Sequence, residues 1–552
     1  MKKTLYMKKS IILSIIALVA FFSSCANRLD IAPPNNLTEE QIVNLMENGS
    51  DADKQKVMSA IANPMIKYFN YWGILGQGGA DPRYFGYQGL DWVRNLQGND
   101  VVLGYDSQAN SLCGKAEYDF SIPYTNKTST APFWFGYAYA INQANLLLSY
   151  MTKEAAAGNN LFKDGRARGL LVRAYSYLCL MENFQDAYTN GGASKLGMSL
   201  YRTYDPSQAP VERSSSKDTY EFIIEDAKEA VSLLSVIGYT PGRANCEDFD
   251  LGVANFVLAR AALEYGDYAT CISACQAIIN SKKYDFIKEA NYGGHNTGSD
   301  MTGANIEVLP ETNAFTALEV NPECILGFNR GSANNASAFF TQLANPFGNY
   351  ASGRVFARID NRLYDQINDN DFRKDAFYTG EVGDYTGASS TYKIPSYINL
   401  KFAATVGLGA DGTSHTGKTD ISNQEYCKFR LSEVYLMLAE AQLASNNSSA
   451  ATATINTLLE KRTKAGSPEK LTFANYGAGN DLKSFIQLQW RIEMWCEGGR
   501  EYFNNKRWGI DVNRTSSAIH VTKNTRSWQN LTCELPIREL EDNPNTTPNG
   551  IE

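Results

Sequence analysis

The chain lacks the residue pattern on which zinc binding and Cys–His catalysis usually depend. Its 552 residues include only three histidines, isolated at 295, 415 and 520, and no C-x-x-C pair. Zinc sites and Cys–His catalysis need such residues at close spacing, so neither is expected. The glycine clusters, among them Gly498-Gly499, lack the spacing of a P-loop or a dinucleotide-binding turn. There is no basic block, and a formal net charge of −8 disfavours a nucleic-acid partner.

Long apolar runs are also missing, except near the N-terminus. There, four lysines precede an apolar run of 12 residues, 11–22, which is too short for the roughly 20 residues that span a bilayer. A basic start, a short apolar run and small residues before Cys25 predict a lipoprotein signal peptide over 1–24, cleaved to leave Cys25 acylated. An ordinary signal with an incidental cysteine is the alternative. Acyl chains such as palmitate on Cys25 are then the only contact with the membrane that we expect, and stable anchoring needs several of them.

Removal of residues 1–24 takes away four lysines and no acidic residue, so the formal net charge changes from −8 to −12. The other nine cysteines are scattered, and several lie in apolar helical patterns. Buried free thiols are the favoured interpretation, although an exported protein could pair some of them.

Helical periodicity dominates the remaining sequence. At 252–280 two apolar faces flank the turn Gly266-Asp267-Tyr268, which is typical of a tetratricopeptide-type hairpin or of a generic antiparallel helix pair. A second pair is predicted from Cys427 to Leu458, with a break at Asn446-Asn447. Further helices are predicted at 133–151, at 166–181, at 217–234 with a cap from one of Ser214 to Ser216, and from 482 towards Trp508.

Two long irregular stretches interrupt the helical pattern. The first irregular stretch, 72–128, is rich in Gly, Tyr and Trp, and the second irregular stretch, 291–424, is rich in Gly, Asn, Ser and Thr. Loops this long are unusual inside a compact protein unless they are functional or disordered. We therefore expect a binding surface that is carried by a helical scaffold.

A series of short motifs, in order along the chain, resembles one known family. They are Leu29-Asp30-Ile31-Ala32-Pro33 after Cys25; Trp134, Tyr137, Ile141 and Ala144-Asn145; Ala167 with Arg173-Ala174-Tyr175 and Tyr177; Arg213-Ser214-Ser215 with Tyr220, Ile223, Asp226 and Ala230; Phe429 to Ala441; Arg491 to Gly509; and Leu535 to Asn545. With them the chain resembles the SusD/RagB family of outer-membrane nutrient-binding lipoproteins over essentially its whole length. One departure is Asn183-Phe184-Gln185-Asp186-Ala187, where the family often has Y-G-x-V-P.

The resemblance implies an all-α, mostly helical fold, in which tetratricopeptide-like hairpins form an α-α superhelix and long irregular loops carry the ligand surface. It implies a single domain over 25–552, with a variable ligand-loop part at about 36–130, the second irregular stretch at about 291–424 and the family-signature part at about 425–552. Such proteins sit as a lid on a SusC-like, TonB-dependent porin, deliver oligosaccharides or in some members peptides to it, and are not enzymes. Localisation at the outer membrane, facing the exterior, is expected. A structural Ca²⁺ is known in some members, but no spacing in this sequence locates one.

Candidate ligand residues follow from the chemistry of sugars, whose C–H faces stack on aromatic rings and whose hydroxyls pair with polar side chains. The densest mixture of this kind lies in the first irregular stretch. The candidates there are Trp72, Arg83, Tyr84, Tyr87, Trp92 and Asn99, and Tyr292 and Phe347 are weaker candidates in the second irregular stretch.

Two rival functions also fit the sequence. An exported glycoside hydrolase needs two carboxyl groups about 5–10 Å apart across a cleft. The helices offer Glu433, Glu440, Glu493 and Glu497, but Arg500, Arg507 and other arginines lie beside them, which favours internal ion pairs. The other rival is a structural adaptor whose helical face binds only proteins.

Overall fold

The structure is a computed structural model of the chain. It describes residues 39–58, 86–104, 118–120, 130–238, 246–293, 295–296, 306–307, 312–328, 356–379, 384–386, 391–393, 396–403 and 425–549. The chain divides into two units, 1–60 and 61–552. In the first unit, helix α1 (Glu39–Asn48) is followed by a helical segment at 51–58, which Ser50 caps by accepting a hydrogen bond from the Asp53 N–H at 3.3 Å.

The second unit contains most of the helices. They are α2 (Gly86–Asn95), α3 (Ala131–Tyr150), α4 (Lys153–Ala157), α5 (Asn160–Phe184), α6 (Ser216–Ile237), α7 (Leu251–Tyr265), α8 (Tyr268–Asn280), α9 (Asn361–Tyr364), α10 (Leu431–Ala444), α11 (Ser448–Arg462), α12 (Leu482–Glu493), α13 (Arg500–Trp508) and α14 (Ile537–Asp542). Successive helices pack as neighbours: α3 on α5, α5 on α6, α6 on α7, α7 on α8, α8 on α10, and α10 on α11 and α12. The prediction of a mostly helical fold is confirmed.

Short antiparallel strands connect the helical blocks. They are β1 (Val101–Gly104), β2 (Leu196–Ser199), β3 (Arg213–Ser215), β4 (His295–Asn296), β5 (Ile306–Glu307), β6 (Cys324–Phe328), β7 (Phe356–Ile359), β8 (Phe377–Tyr378), β9 (Asp384–Thr386), β10 (Thr391–Lys393), β11 (Ile398–Asn399), β12 (Tyr426–Arg430), β13 (Val512–Asn513) and β14 (Thr525–Arg526). One sheet has four strands in the order β1-β7-β11-β8, and the others have two. In the four-stranded sheet Val101 pairs with Ile359, so hydrogen bonds join the first irregular stretch to the second.

The first predicted helix pair is present as α7 and α8. Asp250 caps α7 by accepting hydrogen bonds from the N–H groups of Gly252 and Val253, at 2.8 and 3.1 Å. The helix ends at Gly266, whose φ of 86° is a left-handed conformation that glycine adopts without steric cost. Asp267 then caps α8. The small residues Ala259, Ala262 and Cys271 are fully buried, and α7 and α8 pack against each other.

The second predicted pair is α10 and α11, and its break lies where the sequence places it. Asn446 has a φ of 60°, and the side chain of Asn447 caps α11 by accepting a hydrogen bond from the Ala450 N–H at 3.1 Å. The predicted start was wrong. Cys427 belongs to strand β12, which pairs with β6, so the apolar pattern there reflects a buried strand and not the first turn of a helix.

The predicted long helix from 482 towards Trp508 was also wrong, because it is two helices, α12 and α13. The first ends at Glu493, and Cys496, Gly498 and Gly499 have positive φ values of 58°, 59° and 62° before the second begins. A Cβ atom on Gly499 would lie 2.6 Å from Cβ of Arg94, so only glycine permits this approach of α13 to α2.

A buried ion pair ties the first helices together. Arg173 on α5 donates to both carboxylate oxygens of Asp226 on α6, at 2.7 and 2.9 Å, and to the side-chain oxygen of Asn145 on α3, at 2.8 Å. Ser215 caps α6 as predicted, accepting from the Asp218 N–H at 3.0 Å. Within the part of the chain that the structure describes, every helix is too short or too polar to span a bilayer.

Candidate functional site

Four of the eight ligand residues predicted from the sequence lie outside the described residues, namely Trp72, Arg83, Tyr84 and Phe347. The predicted lipid-attachment residue, Cys25, also lies outside them. Tyr87 is described as part of helix α2 without its side-chain placement. Their roles stay predictions.

Trp92 and Tyr292 are buried, each with 3% of its surface exposed. The Tyr292 ring packs edge-on against Phe315, with the ring centroids 4.9 Å apart, and the guanidinium of Arg462 lies 5.2 Å from its centroid. Burial raises the pKa of Tyr292 well above its usual value. Both rings therefore contribute to the core, and ligand contact by either stays a prediction.

Asn99 is half-buried in the connection between α2 and β1, and its side chain holds a neighbouring segment. Its amide donates to the backbone oxygen of Asp511 at 3.3 Å, and its side-chain oxygen accepts from the Asn513 N–H at 2.7 Å. The α2–β1 connection is thereby fixed to the strand β13 region. Whether this side chain also reaches a ligand stays a prediction.

Directly beside Asn99, the carboxylate of Glu501 on α13 accepts hydrogen bonds from the backbone N–H groups of Asn99 and Asp100. Asp100 itself forms an ion pair with Arg491. Burial and the nearby negative charge of Asp100 raise the pKa of Glu501 to about 8, against the opposing charge of Arg491. This carboxyl therefore takes up a proton near neutral pH.

The acidic residues that the sequence offered for glycoside cleavage are held in internal ion pairs, as expected. Glu433 pairs with Arg260, and Glu440 lies 2.9 Å from Arg507, which also contacts Glu264. A further pair on α13 is Arg500 with Glu182, at 2.9 Å.

Glu493, at the end of α12, lies at the centre of the largest such group. Its carboxylate accepts from Arg430 at 2.7 Å, from Arg462 at 2.9 and 3.0 Å, and from Arg373 at 2.9 Å. Burial alone would raise the pKa of Glu493, but the charges of the three arginines outweigh it and hold the pKa well below its usual value.

Four cations and four anions make up this cluster, named here the Glu493 network. Its members are Arg373, Lys401, Arg430 and Arg462 with Glu323, Asp371, Glu493 and Glu497. The formal charges therefore balance. The two carboxylates at its centre, those of Glu323 and Glu493, are 0% exposed and are paired with arginine side chains. This arrangement favours a role in stabilising the fold.

Two sizeable pockets lie among the described residues, and the sequence did not predict them because each gathers residues from several distant segments. The larger, named here the helical pocket, has a volume of about 580 Å³ between α8, α10, α12 and α13. Trp508 is half-buried on its wall, and its indole N–H donates to Glu440 at 2.9 Å. The lining is Thr189, Leu263, Tyr268, Glu440, Leu443, Ala444, Asn446, Ser448, Asp481, Leu482, Lys483, Ile486, Gln487, Arg507 and Trp508.

The smaller pocket has a volume of about 340 Å³ and lies between α3, α5 and the segment after β2. Trp134, Tyr177 and Tyr201 supply aromatic walls, and Asn145 and Glu539 supply polar groups. Burial raises the pKa of Glu539, against hydrogen bonds from Asn543 and Trp134. Both pockets mix aromatic rings with amides and carboxylates, which can bind a polar ligand by stacking and hydrogen bonding.

Two family models match the chain. One, described as the SusD family, matches residues 291–547, and the other, described as starch-binding associating with outer membrane, matches residues 103–244. A comparison with curated proteins finds no significant match.

Solved structures share the fold at low sequence identity. A SusD superfamily protein from Bacteroides thetaiotaomicron aligns with a TM-score of 0.67 and 16% identity, over 90% of this chain and 99% of the other. A SusD-like carbohydrate binding protein from Bacteroides vulgatus aligns with a TM-score of 0.64 and 16% identity, over 89% and 97%. A putative sugar binding protein from the same species gives 0.64 and 17%, over 90% and 98%.

The Glu493 network predicts a large stability cost for a small change. Glu493→Gln keeps the shape of the side chain but leaves three buried arginines with one negative charge fewer, and we expect the free energy of unfolding to fall by about 3–5 kcal/mol. Glu221→Gln is the matched control, since Glu221 is half exposed and 3.7 Å from Lys217, and it should change stability by less than about 0.5 kcal/mol. Urea unfolding measures both. Equal losses in the two variants would contradict a central role for Glu493.

The raised pKa of Glu501 predicts a dependence of stability on pH. The pKa of Glu501 in the folded state lies above the ordinary value of 4.5. The contribution of Glu501 to folding stability is therefore complete below about pH 4.5 and is lost as the pH rises through about 8. Unfolding measured from pH 5 to pH 9 should show wild type losing about 1 kcal/mol or more relative to Glu501→Gln, which cannot ionise. Parallel stability curves for the two proteins would show that Glu501 does not titrate in this range.

Proposed function

The chain belongs to the SusD-like family, and we therefore propose that it captures an oligosaccharide at the outer membrane and passes it to a SusC-like, TonB-dependent transporter. The observation that carries this proposal is the order of the two family matches, which together extend from residue 103 to residue 547 with one gap. Structural relatives described as carbohydrate or sugar binding proteins support the same ligand class.

The proposed anchor is the acylated Cys25, exposed after removal of residues 1–24. Acyl chains hold the protein on the membrane while the folded part stays in water. In this proposal the protein faces the cell exterior, where it meets nutrient glycans before the porin does.

The proposed ligand surface comprises the two irregular stretches. The pairing of β1 with β7 supports this, because it holds a part of one stretch against a part of the other. Trp72, Arg83, Tyr84, Tyr87, Asn99 and Phe347 would supply rings and polar groups to the sugar. Trp92 and Tyr292 are buried, and a contact of either ring with the sugar remains part of the proposal.

A binding role is also supported by the chemistry of the described acids. The carboxylates of Glu433, Glu440, Glu493 and Glu497 are paired with arginine or lysine side chains, which favours a structural role for these residues over glycoside cleavage. A peptide cargo is the alternative within the same family, and the experiment below separates the two.

We expect the protein without residues 1–25 to bind one class of oligosaccharide when titrated calorimetrically against panels of glycans and of peptides. Tyr84→Ala should weaken that binding about tenfold by removing one stacking ring. Tyr139→Ala is the matched control, because Tyr139 is 41% exposed on α3 and lies outside both irregular stretches in the sequence.

If the protein binds peptides and no glycan, the peptide cargo would replace the oligosaccharide in the proposal. Equal affinities of the Tyr84 and Tyr139 variants would show that the ligand surface lies elsewhere. Release of reducing ends from a bound glycan would favour an enzyme over a binding protein.

A further inference from the structure

Three cysteines that are far apart in sequence meet around one glycine. Cys324 lies in β6 and Cys427 in β12, and Cys427 is the strand partner of Gly327. The backbone oxygen of Cys246, shortly before α7, accepts a hydrogen bond from the Gly327 N–H at 3.0 Å. Three separate segments thus bring their cysteines to a common point.

The absence of a side chain at Gly327 leaves room for the sulfur atoms. A Cβ atom there would lie 2.8 Å from Sγ of Cys324, closer than real contacts allow. The Cys324 thiol lies within hydrogen-bonding distance of the thiols of both Cys246 and Cys427. Cys324 is therefore the central member of the group.

Access to the three sulfur atoms differs. Cys324 and Cys427 are each 9% exposed and pack with Leu318, whereas Cys246 is only partly buried and packs against that cluster. By contrast, Cys271 and Cys275 are both 0% exposed and lie one turn apart on α8. The group around Gly327 thus consists of three close cysteines, of which Cys246 is the least buried.

We propose that Cys246, Cys324 and Cys427 form a redox-active thiol cluster, in which Cys324 forms a disulfide with Cys246 and can exchange it for one with Cys427. The inference rests on the export that the proposed function includes, since disulfides persist outside the cytoplasm.

The oxidant is an external disulfide, for example oxidised glutathione. The Cys246 thiolate attacks one of its sulfurs, forms a mixed disulfide and releases one glutathione thiolate. Cys324 then loses its proton, attacks Sγ of Cys246 and displaces the second glutathione. Two protein thiols are oxidised to one disulfide, and one oxidised glutathione is reduced to two glutathione molecules.

Cys246 acts first because it is the accessible member. Hydrogen bonds to the two neighbouring thiols, together with burial, raise the pKa of Cys324 well above its usual value, so it reacts only once a disulfide is adjacent. Attack of Cys427 on Sγ of Cys324 then moves the disulfide and frees Cys246, with no further oxidant consumed.

The test treats the protein without residues 1–25 with oxidised glutathione, quenches with acid and alkylates the remaining thiols in denaturant. Peptide mass spectrometry should show the loss of two alkylated cysteines and a cross-linked peptide that joins Cys246 to Cys324. Cys324→Ser should abolish the cross-link, Cys246→Ser should leave both Cys324 and Cys427 reduced because the accessible thiol is missing, and Cys179→Ser, which removes a buried cysteine elsewhere, should leave the cross-link unchanged.

Full alkylation of wild type after this treatment would overturn the proposal, and so would a disulfide confined to Cys271 and Cys275. Protection of all three thiols by a co-purified metal ion would also overturn it. Glycan titration of the same sample keeps the two proposals apart. A cross-link without glycan binding counts against the proposed function alone, and binding without a cross-link counts against the thiol cluster alone.

Discussion

The fold depends on the enclosure of the Glu493 carboxylate by three arginines. A buried charge without partners is strongly destabilising, so these side chains hold one another only when α11, α12, β12 and the turn at Arg373 are all in place. Glu323 extends the constraint to β6 through Arg430 and Arg462, at 2.9 and 2.5 Å. The network thus requires one arrangement of the C-terminal helices.

The same network reaches the proposed ligand surface through Lys401. Its ammonium donates to the backbone oxygens of Glu493 and Trp495, both at 3.0 Å. Lys401 follows β11, which pairs with β7, and β7 pairs with β1. A continuous set of hydrogen bonds therefore leads from the core charges to both irregular stretches. A rigid scaffold of this kind lowers the entropic cost of presenting loops to a ligand.

Sequence reasoning was successful where interactions are local. Helix pairs, the break at Asn446 and the cap at Ser215 follow from periodicity and turn chemistry within a few residues. The family motifs from Phe429 to Ala441 and from Arg491 to Gly509 include residues of the buried ion pairs, among them Arg430, Glu493 and Arg500. Part of the resemblance is therefore carried by residues of the core. Other features depend on contacts between segments that are distant in sequence, and the periodicity of the sequence cannot predict them. These features are strand β12, the pockets and the proximity of Cys246 to Cys427.

We expect the helical scaffold, held by its buried ion pairs, to stay fixed while the irregular stretches bind the glycan. Hydrogen–deuterium exchange of the protein with and without its oligosaccharide tests it most directly. Residues 425–462 and 482–508 should exchange equally slowly in both states, and added protection should fall within 72–128 and 291–424. Ligand-induced changes spread over the scaffold helices, or confined to the helical pocket, would contradict the account.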